Sequence, residues 1–224
     1  MRHPFLPLLI AAIAAFVPFS QGAAQEGSRP TPATGDVRAT AWGLEPVMEM
    51  LYERTIFNID VLTVSIEVDP ATEAALRSLV DGTPYAPSVA DSLVERVMGS
   101  QAVLIRSRFH RKVSLDQFLD GMRDNLEGAR KGGFLTRDEL DVIVTENTRQ
   151  FQLFRERGFR TDESITYRIL GDRLHIVVQD PAGGILFENR AEGEVRRGAL
   201  LGSYLAPDSE FRDGLVRSLF ATGG

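Results

Sequence analysis

Cysteine is absent from all 224 residues, so neither a disulfide framework nor a thiolate nucleophile or metal ligand is available to this chain. Lysine is nearly absent: Lys112 and Lys131 are the only two among 25 basic residues. That arginine bias reflects base composition and removes arginine clusters as evidence for phosphate binding. Histidine is scarce as well, and His110 and His175 show no spacing that a metal site would use. There is no G-x-S-x-G elbow, no EF-hand loop and no Gly-Lys-Ser/Thr phosphate loop. The run GARKGG at 128–133 reads as the basic end of a helix stopped by glycine. The net charge of −6 argues against nucleic acid and against anionic membrane surfaces. No apolar run reaches the roughly 20 residues of a membrane span. These absences lead us to expect no metal, no cofactor and no membrane-integral segment.

The longest apolar run, residues 5–19, follows Arg2 and His3 and precedes Gly22-Ala23-Ala24. That is the pattern of a secretory signal peptide at 1–24, cleaved after Ala24, and it predicts a periplasmic or secreted protein. Residues 25–45 are rich in Gly, Ser, Thr, Pro and Ala and read as a disordered tether. The remainder, 46–224, is long enough for one substantial core.

Within it, YERTIFNIDVLTVSIEVD (52–69) alternates in two phases, predicting one long strand over 56–68 with a bend near Val61. Asp69-Pro70 opens a helix to about Val80, and a second short helix runs over 88–98. A further strand covers 101–113: Val103, Ile105, Ser107, Phe109 and Val113 form one side, and Arg106, Arg108, His110 and Lys112 the other. Capping boxes at Ser114/Gln117 and Thr136/Glu139 start helices over 114–130 and 136–157. A meander of strands at 164–170, 174–179 and 185–189 follows, and helices at 195–205 and 209–220 close the chain. This order predicts an α+β domain whose sheet carries helices on one side.

The stretch TIFNIDVLTVSIEV resembles the curved strand of the chalcone-isomerase-like family. So do the passage LIRSRFHRKVSLDQFLDGMRDNL, the meander with RILGDRLHIVVQ and PAGG, and the ending RRGALLGSYLAPDSEFRDGLVRSLF. The resemblance covers about Leu51 to Phe220. It implies an open-faced β-sandwich, a large curved antiparallel sheet packed on a layer of helices with a cleft between them, in which the strands over 56–68 and 101–113 are adjacent and antiparallel. The family includes plant enzymes that close a chalcone to a flavanone and relatives that bind fatty acids without catalysis. Its enzymes share an arginine before the curved strand, a threonine within it, and a tyrosine and an asparagine around the following helix. Here Arg54 sits too near Phe57 to match the arginine, Thr63 stands for the threonine, and the last two positions fall near Ser114 and Gly121. The resemblance implies the fold and not the reaction.

Two polar rows remain: Asn58 and Asp60 on one long strand, Arg106, Arg108 and His110 on the other. One reading is a solvated ladder of cross-strand ion pairs worth about 0.2–1 kcal/mol each. The other directs Arg108, or else Arg106, into the cleft to pair with an acyl carboxylate, with Asn58, Asp60 and Thr63 beside it. Three functions follow. The first is an exported, non-catalytic protein binding a small apolar or carboxylate-bearing ligand such as a fatty acid. The second is an isomerase or intramolecular lyase acting on a chalcone-like or other small aromatic substrate. The third is an interaction domain with a filled cleft.

Overall fold

Why the strands and helices form where they do follows from spacing and caps. The computed structural model describes residues 46–53 and 60–221. The leader, the tether, residues 54–59 with Asn58 among them, and the side chain of Asp60 lie outside the described residues. Six strands, β1 (Met48–Glu53), β2 (Asp60–Val68), β3 (Ala102–Phe109), β4 (Ser164–Leu170), β5 (Arg173–Gln179) and β6 (Ile185–Glu192), form one sheet in chain order. Every neighbouring pair is antiparallel. The period of two puts Val64, Ile66, Val103, Ile105, Ile165, Ile169, Ile176 and Val178 on one buried face. The helices cover that face.

Helix α1 (Pro70–Val80) begins where the Asp69 carboxylate accepts from the backbone N–H of Thr72, and α2 (Pro87–Met98) begins on a proline. Both reciprocal hydrogen bonds of the capping box are present at Ser114 and at Thr136, starting α3 (Leu115–Lys131) and α4 (Arg137–Gln150). A 3₁₀ turn (Phe151–Phe154) continues α4, and α5 (Glu194–Leu205) and α6 (Arg212–Ala221) end the fold. Close approach of α5 to α3 needs Gly202, where a Cβ would lie 2.8 Å from the Phe134 ring and 3.0 Å from the Ala129 methyl.

The strand expected over 56–68 is seen from Asp60 onward as β2, and its residues 56–59 lie outside the described residues. Tyr52 and Glu53 belong to β1, which lies antiparallel to β2 with Tyr52 opposite Leu62 and Met50 opposite Val64. The register shifts by one residue between Tyr52 and Glu53, which pair with Leu62 and Asp60, so Val61 is the extra residue of a bulge in β2, where the bend is expected. The second long strand is also shorter than expected: β3 stops at Phe109, and Val113 makes an isolated bridge to Phe159. β2 and β3 are adjacent and antiparallel, and the meander and both closing helices fall within a few residues of their expected bounds.

The buried side chains divide into two clusters. The larger joins the inner sheet face to α1, α2, α6 and the phenylalanines at 151, 154 and 159. The smaller holds Leu126, Ala129, Leu135, Leu140, Ile143, Val144 and Ala199, from α3, α4, α5 and the turn between α3 and α4. The two are kept apart by open space.

Candidate functional site

Between those clusters lies a cavity of about 400 Å³. Its floor is a diagonal strip of the inner sheet face: Tyr52, Leu62 and Phe109, then Ser107 and Ile165, then Tyr167, Ile176 and Asn189, then Leu174 and Ala191. From β2 to β6 that strip crosses four strand spacings, roughly 19 Å. The roof comes from α3 (Phe118, Met122, Leu126), α4 (Ile143) and α5 (Ala199, Leu200). Aromatic and aliphatic walls of this length suit a flexible apolar chain.

Polar groups enter at three levels. At the β2 end stands Arg111, two residues past the end of β3. Its Nε is buried without a hydrogen-bond partner, and the guanidinium has no ion-pair partner among the described residues. The three acids on the same lining are differently disposed: Asp120 lies 3.8 Å from Arg123, Glu210 accepts a short hydrogen bond from the Tyr52 hydroxyl, and Asp124 is engaged in an interaction of its own. In the middle, the Ser107 and Tyr204 hydroxyls are 3.3 Å apart, and Tyr167 sits one rung further along the next strand. Burial pushes the Tyr167 phenol well up from its ordinary pKa, with a further push from the nearby Tyr204. Burial also raises Tyr204, partly offset by its bond to Ser107. Both phenols are therefore protonated, neutral donors at neutral pH. At the β6 end, Asn189 donates to Gln150 Oε1 at 2.9 Å, with Asn147 beside them on the lining. Arg196, also on the lining, is paired with Glu146 at 2.7 Å.

Of the residues singled out in the sequence, Asn58 and the Asp60 side chain lie outside the described residues, and Arg108, Arg106 and Thr63 do not form this site. Arg108 faces away from the cavity, is more than half exposed, and donates two hydrogen bonds to Asp162 at 3.1 and 2.7 Å. Arg106 lies in a rung with Ser65 and Thr166 on that same outer face. Thr63 is opposite Arg108, and its hydroxyl meets His110 Nε2 at 2.7 Å. Thr63, Arg106 and Arg108 share an outer-face cluster, and none of them lines the cavity. The physical reason is parity. Even-numbered residues of β3 point opposite to Val103, Ile105 and Phe109, so a cleft on the apolar side cannot receive Arg106 or Arg108. The odd positions run on to Arg111, the charge that the alternation reading passed over. Of the positions implied by the family resemblance, Gly121 lines the cavity, Ser114 caps α3 outside it, and Arg54 is not among the described residues.

Among the described residues no group of three or more acidic or histidine side chains could hold a metal ion, and no helix is long and apolar enough to cross a membrane. No family model and no curated protein matches the sequence. Among solved structures, the chain is similar to a fatty-acid binding protein of Arabidopsis thaliana. The TM-score is 0.57 at 14% identity, covering 80% of this chain and 87% of that one. At that identity the likeness establishes the fold, an α+β open sheet backed by helices of the chalcone-isomerase-like type.

Proposed function

We propose that this protein binds a fatty acid or a similar amphiphile, with the apolar chain lying between sheet and helices and the carboxylate on Arg111. The observation that carries the reading is the Arg111 guanidinium, unpaired among the described residues, at one end of an apolar cavity. A partly buried cation without a partner is unfavourable, and a ligand carboxylate supplies both the opposite charge and two parallel acceptors. The volume lies within the range of small-molecule sites. The fold shared with a fatty-acid binding protein supports the same reading. The leader pattern at 1–24 adds that binding takes place outside the cytoplasm; N-terminal sequencing of native protein should find a start near Gln25, and an intact Met1 would refute export.

Calorimetry with palmitate tests the binding. The intact protein should bind one molecule, and Arg111→Gln should weaken it by about 2 kcal/mol, the lower end for truncating one partner of a buried charge pair. Arg108→Gln, on the other sheet face, should leave the affinity unchanged. Equal losses from both variants, or no palmitate binding at all, would remove the proposal.

A further inference from the structure

The middle of the cavity holds more hydrogen-bonding capacity than a plain fatty acid can use. Ser107, Tyr167 and Tyr204 bring three hydroxyls to one zone of an otherwise apolar channel. Ser107 and Tyr204 satisfy one another, which leaves one of those two O–H donors free. The Tyr167 hydroxyl has no hydrogen-bond partner among the described residues, although its ring is packed against the larger core cluster. Tyr167 is half-buried and its hydroxyl borders the cavity; a ligand chain filling that space would bury it, and an unmet polar group in apolar surroundings is costly. A methylene chain lying across this zone would leave both donors facing hydrocarbon.

We infer that the cavity selects an acyl chain carrying an oxygen function near its middle, with a keto oxygen accepting from Tyr167 and from the Ser107/Tyr204 pair. A carbonyl oxygen has two lone pairs, matching the two available donors. Both phenols stay protonated over the neutral range, so the donors persist. The position in the chain follows from the fold. Ser107 lies within β3 beside Ile165, whereas Arg111 stands beyond the end of β3 past Phe109, which places the oxygen away from the carboxylate. This inference rests on the fatty-acid reading above and narrows its ligand class.

The test compares stearate with stearate bearing a keto group at mid-chain, by calorimetry on the intact protein, on Tyr167→Phe and on Arg111→Gln. The keto acid should bind the intact protein about tenfold more tightly than stearate. Tyr167→Phe should abolish that preference while stearate binds as well as before or slightly better. Arg111→Gln should weaken both acids alike. Equal affinity of the intact protein for the two acids would overturn the inference and leave the fatty-acid reading standing. So would a Tyr167→Phe loss shared by both, which would mark Tyr167 as a packing residue. Failure of both acids to bind would overturn the fatty-acid reading and this inference with it.

Discussion

At the scale of single residues, one carboxylate shows how a cap becomes a tertiary tie. Asp69 accepts from the Thr72 backbone N–H, from the Ser100 hydroxyl at 2.6 Å and from the Gln101 N–H at 3.2 Å, so it starts α1 and also anchors the chain entering β3. Burial alone would raise its pKa; the hydrogen bonds, that from Ser100 foremost, outweigh it and lower the pKa from 3.8 to about 2. Because the folded value lies below the unfolded one, this stabilisation is complete above about pH 4 and is lost as pH falls towards 2. Asparagine caps a helix as well as aspartate, so Asp69→Asn loses mainly the charge-assisted character of the bonds from Ser100 and Gln101; urea denaturation should show it about 1 kcal/mol less stable at pH 7. The gap between variant and parent should narrow as the pH is lowered from 4 to 2; a gap independent of pH would contradict the assignment. Asp69-Pro70 was legible from sequence because a cap is a local signal. Arg111 was not singled out because its meaning depends on which face of β3 meets the helices, a tertiary fact. The clue was nonetheless available: Val103, Ile105, Ser107 and Phe109 define the inward side, and Arg111 is its next charged member.

At the scale of elements, the helices and the meander were legible because each is bounded by caps, glycines or prolines and has a clean period. The first strand was not. β1 is six residues long and carries Leu51 on its exposed side, so its alternation is weak, and a period count contains nothing about which segment pairs with β2. Pairing decides it, and pairing is long-range: β1 packs against α6 from the far end of the chain, where the Glu49 N–H donates to Ser218 Oγ at 3.0 Å. A second long-range tie joins three elements through one side chain. Arg197 on α5 donates to the carbonyls of Met98 at 2.6 Å and Ser100 at 2.8 Å, capping the end of α2 and holding the approach to β3. Arg197→Ala should lower stability by about 1.5–3 kcal/mol, the scale of a charged hydrogen bond lost to buried acceptors. Hydrogen exchange should quicken at the carboxyl end of α2 and leave α4 as protected as before. Uniform quickening would show that Arg197 has no local role.

At the scale of the whole molecule, a single sheet in chain order is roofed by helices that do not close down on it everywhere. The inner face and the α3–α4–α5 cluster each bury their own apolar surface, and the cavity is the space between them. Composition and element order were enough to read the α+β class and the one-sided sheet. The cavity's polar plan, a cation at one end, neutral hydroxyls in the middle and amides at the other, was not legible, because its members come from β3, β4, β6, α4, α5 and the segment after β3. It gives the ligand a direction, head at Arg111 and tail towards Asn189. A crystal structure of the protein with palmitate tests that direction most directly. The account requires the chain to lie across Ile165 and Ile176, with both carboxylate oxygens about 3 Å from the Arg111 guanidinium. A carboxylate at the Asn189 end, on Arg108, or outside the space between sheet and helices would contradict it.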